Sequence, residues 1–282
     1  MMRSLPWILV VILALFAPGV HACTIFMAEG DGIVLAGNNE DFYFETDAVM
    51  WVKPAKKNDH GRIAFGWKME NGKEFAQGGV NDAGLFFDVA VTPKGVEPPK
   101  DKPTAPANMG DSMLAECATV EEAIAWLDQY RLPLLKSSQM LLADATGDAA
   151  VVEVVDGEMT VTRKEDGKKA LGVTNFSVTH PEKGNFPCPR FLKMRDAVKA
   201  GPITVENFKT ILQSVAVPKT YSEQDKQYGG TLYSNVYDLT NKVVYLYSRS
   251  DFEHGLQVPL ADFFAKGKEA YRLDELLPVA SA

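Results

Sequence analysis

One cysteine stands at a junction between two kinds of sequence, and its position there gives it a specific chemistry. Cys23 follows Val20-His21-Ala22, whose small residues at positions −3 and −1 are typical of a signal-peptidase site. Cleavage after Ala22 would give Cys23 both a thiol and a free α-amine. Because an α-amine has a pKa of roughly 7.7–8.0, part of it is neutral near pH 7. We predict that this amine removes the thiol proton, so that Cys23 acts as a nucleophile without a histidine.

The residues before the junction have the three parts of a secretory signal peptide. Arg3 gives a positive start, residues 7–16 are an apolar run, and a proline and a glycine follow it. The apolar run is shorter than the roughly 20 residues that a spanning helix needs. We therefore predict that residues 1–22 are a signal peptide and that residues 23–282 are a secreted or periplasmic protein.

Two other interpretations of this junction remain open at the level of sequence. Bacterial lipoproteins also begin at a cysteine, but their signals usually end in Leu-Ala-Gly-Cys or a close variant, and His21 fits that pattern poorly. A lipid anchor would make the protein a membrane-attached binding protein in which Cys23 is acylated and not catalytic. A cysteine can also follow a cleavage site by coincidence.

Composition narrows the class of partner. The net charge is −8, and it becomes about −9 without the signal, which carries one arginine and no acid. This acidic balance disfavours nucleic acid as a partner and gives no cue for an anionic membrane surface. No second stretch is long and apolar enough to span a bilayer, so we expect no stable membrane insertion after signal removal. The sequence does not determine the oligomeric state, and it is compatible with a homo-oligomer.

The remaining cysteines and the histidines indicate no metal site. Cys117 and Cys188 are an even pair that could form a disulfide in an exported protein, or they could be two buried thiols. The four histidines are scattered, and no Cys/His cluster has zinc-like spacing. We expect no metal and no cofactor.

The segment after Cys23 predicts a hairpin that positions polar side chains beside the cysteine. Residues 24–28 and 33–36 are strand-like, and a glycine-rich turn lies between them. The hairpin would return Gly37-Asn38-Asn39-Glu40-Asp41-Phe42 to the level of Cys23. This polar stretch is thus both a turn candidate and a candidate wall of a site.

The rest of the chain reads as hairpins with helices grouped between them. A capping box at Thr119 and Glu122 predicts a helix to about residue 130, and Thr204 predicts the start of another. Further strands are predicted near 49–52, 62–67, 75–90, 140–162, 170–176, 231–238 and 242–248, with helices at 190–199 and, weakly, 263–271. The pattern favours an α+β fold with two largely antiparallel sheets.

Five short motifs, taken in order, resemble the N-terminal-nucleophile (Ntn) cysteine amidases. They are Cys23-Thr24, Gly37-Asn38-Asn39-Glu40-Asp41-Phe42, Gly79-Val80-Asn81-Asp82-Ala83-Gly84-Leu85, Val173-Thr174-Asn175 and Pro189-Arg190-Phe191. This group includes choloylglycine (bile salt) hydrolases, penicillin V acylases, isopenicillin-type acyltransferases and acid ceramidase-like enzymes. The resemblance covers most of residues 23–282 and implies one Ntn-hydrolase domain with a four-layer αββα sandwich.

The resemblance also implies a role for each of five residues. Cys23 corresponds to the nucleophile, with its α-amine as base, and Asp41 to the aspartate that orients it. Asn175 corresponds to the side-chain donor of the oxyanion hole, and Asn81 to the other donor, by side chain or backbone. Arg190 corresponds to an arginine near the nucleophile.

One departure from the family pattern concerns the residue after Gly37. Much of the family has an arginine where this chain has Asn38, and that arginine supports the thiolate. The acyltransferase branch carries an amide side chain near this place, so Asn38 is compatible with activity. The missing arginine puts the bile salt hydrolase assignment in doubt. The resemblance implies hydrolysis of a small N-acyl amide through a thioester, with an acyltransferase or a peptide-processing enzyme as alternatives.

Four aromatic residues have two possible roles. Trp51, Trp67, Phe86 and Phe87 lie in predicted strands, where they could line an acyl pocket. Aromatic residues in strands more often belong to the core.

Overall fold

The computed structural model describes residues 23–69, 71–184 and 186–277. The predicted signal peptide lies outside the described residues. The strands are β1 (Thr24–Gly30), β2 (Ile33–Tyr43), β3 (Ala48–Lys53), β4 (Arg62–Lys68), β5 (Glu74–Asn81), β6 (Phe86–Val91), β7 (Ser138–Ala143), β8 (Ala149–Val155), β9 (Glu158–Arg163), β10 (Ala170–Val173), β11 (Thr220–Ser222), β12 (Gln227–Asp238), β13 (Val243–Ser248), β14 (Asp251–Pro259) and β15 (Glu269–Arg272). The helices are α1 (Met109–Glu116), α2 (Val120–Leu127), α3 (Pro189–Ala200), α4 (Val205–Val215), α5 (Leu260–Ala265) and α6 (Leu273–Leu276), with short 3₁₀ turns at Pro133–Lys136 and Pro181–Lys183.

The strands form two antiparallel sheets. The first has the order β10-β1-β2-β12-β13-β14, with β11 beside β12, and the second has the order β15-β3-β4-β5-β6-β7-β8-β9. Most neighbouring strands in the second sheet are also consecutive in sequence, as expected when tight turns connect antiparallel strands. The α+β class with two largely antiparallel sheets is therefore confirmed.

Alternating side chains of each sheet face two different cores. On β1, Ile25 and Met27 pack between the sheets, whereas Phe26 packs against α3 and α4. The outer face of the second sheet packs against α1 and α2 through residues such as Leu114 and Trp126. Helices thus cover both outer faces, and the predicted four-layer αββα sandwich is confirmed.

The β1–β2 hairpin positions the site, and its register follows from its turn. The two turn residues, Asp31 and Gly32, have φ angles of 51° and 80°. Two positive φ angles are characteristic of a type I′ turn, which Asp-Gly favours because its twist matches that of the strands. Thr24 consequently pairs with Asn39, and the polar end of β2 returns beside the start of β1, as predicted.

Local signals predicted several helix starts correctly but failed near the C-terminus. The hydroxyls of Thr119 and Thr204 accept hydrogen bonds from the third residue of α2 and of α4, as a capping residue does. The predicted helix over 263–271 is wrong beyond Ala265. Residues Glu269–Arg272 instead form an edge strand that pairs with β3, so tertiary pairing overrides the weak helical pattern.

Candidate active site

The nucleophile candidate lies at the open start of β1, on the face that is turned towards the second sheet. Cys23 is 2% exposed, and its thiol donates a hydrogen bond to Oε2 of Glu40 across 3.6 Å. Burial raises the pKa of this thiol well above its ordinary value, and the carboxyl groups of Glu40, Asp41 and Asp88 raise it further. A hydrogen bond from the backbone of Asp41 opposes them. The thiol is therefore neutral as it stands, and it needs a base to become a nucleophile.

The guanidinium group of Arg190 contacts several of the residues around Cys23. Arg190 follows Pro189 in the first turn of α3, and its Nη1 donates to Oγ1 of Thr24 at 2.7 Å and to the carbonyl oxygen of Cys23 at 3.2 Å. Its Nη2 donates to Oδ1 of Asn175 at 3.1 Å, and Nη1 lies 3.6 Å from Oδ2 of Asp41. The structure thus brings together four of the five predicted site residues: Cys23, Asp41, Asn175 and Arg190.

Asp41 is a buried carboxyl group that titrates near neutrality. Its Oδ1 accepts a hydrogen bond from the hydroxyl of Thr231 at 2.5 Å. Burial raises the pKa of Asp41 to about 7, although Arg190 and the Thr231 hydrogen bond both lower it. An irregularity in β12 between Thr231 and Tyr233 places Thr231 opposite Asp41 and Tyr233 opposite Glu40. Such bulges are common next to active sites, where they redirect side chains.

The side chain of Asn175 is held in place by two hydrogen bonds. This residue follows the end of β10, and its side chain is held by a bond from Nδ2 to the carbonyl oxygen of Val91 at 2.9 Å and by the Arg190 bond to Oδ1. Because an amide nitrogen carries two hydrogens, the Val91 contact leaves one for a substrate oxygen. This is the geometry of a fixed neutral donor.

Asn81 occupies a different environment. Its Nδ2 donates to the carbonyl oxygens of Leu114 at 2.9 Å and Cys117 at 2.7 Å, and its Oδ1 accepts from the backbone N–H groups of Gly84 and Leu85. Its own backbone N–H donates to the carbonyl oxygen of Leu85. These bonds fix the β5–β6 turn to the end of α1 and use every donor of the residue. They do not support the prediction that Asn81 supplies an oxyanion donor.

Asn38, which stands in place of the family arginine, is fully buried in the first sheet. It pairs with Ile25 on β1 and with Asn235 on β12. Neither Nδ2 nor Oδ1 of Asn38 has a hydrogen-bond partner among the residues that the structure describes. A neutral amide therefore occupies a position where the family pattern has a cation.

The sequence prediction missed two carboxyl groups of the site. Glu40 is 1% exposed, and Asp88 on β6 is 0% exposed and faces the space between the sheets. The register contains a signal for the first, because pairing Thr24 with Asn39 puts Glu40 on the same face as Cys23. The signal for the second is a lone acid within an otherwise apolar strand.

Aromatic side chains lie next to two of the site residues. Phe42 directly follows Asp41 and stacks on the half-buried Trp67, with ring centroids 4.8 Å apart. Phe176 directly follows Asn175, and its ring centroid lies 5.1 Å from that of Phe186 and 5.0 Å from that of Phe191. By contrast, the other three aromatic residues considered for a pocket belong to the cores: Trp51, Phe86 and Phe87.

Other features of the described chain lie apart from this group. Residues 23–69, 71–184 and 186–277 contain no cluster of three His, Cys, Asp or Glu placed to hold a metal ion. In the same ranges no helix combines the length and the apolar character needed to cross a bilayer. An open depression of about 760 Å³ lies around the β1–β2 turn, at the end of β1 away from Cys23, and none of the predicted site residues lines it.

A family model matches most of the chain. The model is that of acyl-coenzyme A:6-aminopenicillanic acid acyl-transferase, and it matches residues 28–252. The chain belongs to this family. Its sequence is also 25% identical over 174 residues to a penicillin V acylase of Pectobacterium atrosepticum, an alignment that covers 50% of this chain and 46% of that relative. The chain thus matches about half the length of the curated relative.

Two solved structures share the family's fold. The penicillin V acylase of Agrobacterium tumefaciens is 18% identical, with a TM-score of 0.67 over 88% of this chain and 90% of that one. A mutant of the conjugated bile acid hydrolase of Clostridium perfringens is 17% identical, with a TM-score of 0.68 over 92% and 99%. At these identities the likeness establishes the Ntn-hydrolase sandwich and leaves the chemistry to the site.

Proposed function

We propose that this protein is an exported amidase that cleaves linear, non-peptide amides, with Cys23 as its N-terminal nucleophile. The observation that supports this best is the guanidinium of Arg190, which contacts Thr24, Asp41 and Asn175 and the backbone of Cys23 at once. A thiol, a carboxyl group and a fixed amide donor are the groups that acyl transfer requires. Removal of residues 1–22 completes the set by freeing the α-amine.

In the first step, the neutral α-amine takes the proton of the Cys23 thiol, and the sulfur attacks the amide carbon. Negative charge develops on the carbonyl oxygen, and the remaining N–H of Asn175 donates to it. The tetrahedral intermediate collapses as the α-ammonium returns the proton to the leaving amine. The acyl group is then bound to the sulfur as a thioester, and the amine product leaves.

In the second step, water replaces the amine. The α-amine takes one proton from the water, whose oxygen attacks the thioester carbon. The intermediate releases the sulfur, which recovers the proton, and the free acid departs. Each proton that leaves one group is thus accounted for on another, with no cofactor.

Aromatic pairs near the site residues in the chain favour an apolar acyl group. Phe42, the residue after Asp41, stacks on Trp67, and Phe176, the residue after Asn175, contacts the 44% exposed Phe186. Aromatic faces of this kind bind apolar chains or rings. The related proteins named above motivate a substrate panel of penicillin V, N-acyl amines and conjugated bile acids, and Asn38 makes the last of these the least favoured.

Two alternatives to this function remain to be tested. The name of the matching family favours acyl transfer, in which an amine rather than water accepts the acyl group. The lipid-anchored alternative has no need of the buried Asp41 or of Asn175 tied to Arg190. Both can be examined by following products with and without an added amine.

The test compares a protein that begins at Cys23 with a precursor that retains residues 1–22. The proposal predicts acid release from an N-acyl amide by the first protein only. Acyl-amine formation that outpaces acid release would instead establish the acyltransferase. An active precursor, or a mature protein with lipid on Cys23, would overturn the proposal.

A further inference from the structure

A group of acidic side chains surrounds the cysteine in the space between the two sheets. Glu40, Asp88 and the phenol of Tyr233 all lie there, and each is at most 1% exposed. Glu40 is the member that touches the sulfur, through the 3.6 Å contact with Oε2. Neither the fold nor the chemistry of the two steps above requires an acid at this position, so its presence calls for an explanation.

The Glu40 carboxyl group is held from a second direction by Gln77. The side chain of Gln77 makes a hydrogen bond to Glu40, and its Nε2 also donates to the carbonyl oxygen of Val89 at 2.6 Å. Gln77 sits at a register irregularity in the second sheet, between Gly78 opposite Phe65 and Ala76 opposite Gly66. The second sheet therefore orients a carboxyl group that belongs to the first.

Asp88 places a second carboxyl group near the first. Its Oδ1 accepts from the N–H of Val89 at 2.8 Å, whereas Oδ2 has no hydrogen-bond partner in the part of the chain that the structure describes. Gly78 lies opposite Asp88, and a Cβ at that position would come within 2.2 Å of Oδ2. The absence of a side chain at Gly78 is what lets the Asp88 carboxyl group fit.

The charges around Glu40 favour its neutral form. Burial raises the pKa of Glu40 well above its ordinary value, and Asp88 and Asp41 raise it further, while Cys23 and Gln77 lower it. Burial likewise raises the pKa of Asp88. Tyr233 and Tyr237 on β12 are further titratable neighbours, and burial raises the pKa of both phenols.

Among the described residues, no ion pair joins a cation to Glu40 or to Asp88, and no cation is among the causes of their pKa shifts. Arg190 makes its ion pair with Asp41, and Asp41 takes its other contact from Thr231. Two carboxyl groups buried together without a cation retain at least one proton, because two like charges in a low dielectric repel strongly. Glu40 touches the Cys23 sulfur, which becomes negative during the reaction. A proton on Glu40 can therefore form a hydrogen bond to that negative sulfur.

We propose that Glu40 is a catalytic residue in its protonated form, and that it donates its O–H to the Cys23 sulfur as the thiol becomes a thiolate. This inference rests on the proposed nucleophilic role of Cys23. The proton of the thiol goes to the α-amine, and the Glu40 proton stays on Oε2 throughout. No bond of Glu40 breaks. The donated hydrogen bond strengthens while the sulfur is negative and weakens again when the thioester forms.

The proposed role of Glu40 explains how the site can work with a neutral residue at position 38. Asn38 has no charge with which to support a thiolate, and its amide has no partner among the described residues. A protonated carboxyl group supplies a donor to the sulfur without a cation. The chain thus replaces ionic support by a hydrogen bond from Glu40.

The test measures the rate at which iodoacetamide alkylates Cys23 in the mature protein at pH 7, read by mass spectrometry of the N-terminal peptide. Glu40→Gln keeps an N–H donor, whereas Glu40→Met has a similar length and none. We expect Glu40→Gln to react within about threefold of the unchanged protein and Glu40→Met to react at least about tenfold more slowly, as expected for loss of a hydrogen bond to an ionised group. Equal rates in all three proteins would overturn the proposal, and so would faster alkylation of both variants, which would mean an ionised Glu40.

Infrared spectroscopy gives a second readout that does not depend on the Met variant folding. The unchanged protein at pH 7 should show a carboxylic-acid C=O stretch that Glu40→Gln lacks, and identical acid bands in both would overturn the proposal. Neither measurement uses amidase turnover. A protein that fails to hydrolyse amides but passes both tests would refute the proposed function alone, and one that hydrolyses amides but fails them would refute the role of Glu40 alone.

Discussion

Arg190 Nη1 lies 2.7 Å from Oγ1 of Thr24, so a hydrogen bond joins the start of α3 to the start of β1 at the residue after Cys23. The same nitrogen also donates to the carbonyl oxygen of Cys23, and the other terminal nitrogen reaches Asn175. A planar guanidinium can make these bonds together because its donors are fixed in one plane. The arrangement fixes the position of Cys23 through its carbonyl oxygen and through the side chain of the next residue.

Replacing Arg190 by lysine should therefore fail to restore the site. A single ammonium cannot reach Thr24 and Asn175 with the same geometry, and each lost hydrogen bond from a charged group is worth roughly 1.5–3 kcal/mol. We expect Arg190→Lys to lower kcat about 10- to 100-fold. The matched control is Arg195→Lys on the same helix, where the side chain is exposed and forms an ion pair with Asp196. Similar losses in both variants would contradict the role of Arg190.

Asn175→Ala should lower kcat with little change in KM. The donor is needed when charge develops on the substrate oxygen, and loss of one such donor costs about 10²–10³ in kcat. Asn71→Ala is the control, because the Asn71 side chain lies in an exposed turn, where it accepts a bond from the N–H of Lys73. If Asn175→Ala raised KM and left kcat unchanged, Asn175 would be a binding residue instead.

Asp41 should make the protein less stable as the pH rises towards neutrality. Its pKa is about 7 in the folded protein and about 3.9 in an unfolded chain, so the folded state holds more protons between these values. Stability is therefore lost progressively from about pH 4 to pH 7, by at most about 4 kcal/mol. Asp41→Asn should remove this part of the slope. Glu40 and Asp88 act in the same direction, so some slope should remain.

Urea unfolding from pH 4.5 to 8 measures this effect. The quantity to compare is the stability of Asp41→Asn minus that of the unchanged protein at each pH, which should grow as the pH rises to 7 and then level off. Asp166→Asn, in an exposed turn, serves as the control and should show no such trend. A difference that stays constant across the range would contradict the buried-acid interpretation of Asp41.

Cys117 and Cys188 should both be free thiols. Cys117 ends α1 against the second sheet, and Cys188 precedes α3 on the outer side of the first, so both sheets lie between them. A disulfide needs Cα atoms within about 7 Å, whereas packed sheets alone are about 10 Å apart. Thiol titration of the unreduced, denatured mature protein should therefore count three thiols. A count of one would mean that the two are bridged.

The parts of the fold that local chemistry determines were predictable from the sequence. The Asp31-Gly32 turn sets the β1–β2 register, and the hydroxyls of Thr119 and Thr204 begin their helices. Edge strand Glu269–Arg272 was not predictable, because it depends on pairing with β3, more than 200 residues earlier in the chain. The long separation in sequence between the two strands, and not only the weak local pattern, made this strand hard to predict.

The candidate site divides in the same way. The order of the short motifs predicted the residues that Arg190 contacts, because each of them lies within one of those motifs. It did not predict the environment of Asn81, whose bonds to Leu114 and Cys117 depend on how α1 packs on the second sheet. Nor did it predict that Asp88 lies close enough to raise the pKa of Glu40, because the two residues belong to different sheets.

The most direct test of the account is the intact mass of the protein recovered after expression of residues 1–282, alone and after rapid acid quenching with an N-acyl amide substrate. The account predicts a chain that begins at Cys23 with no lipid, and a transient mass increase equal to one acyl group, located on Cys23 and absent from Cys23→Ala. A turnover-competent protein with another first residue, or an acyl group on another side chain, would contradict it.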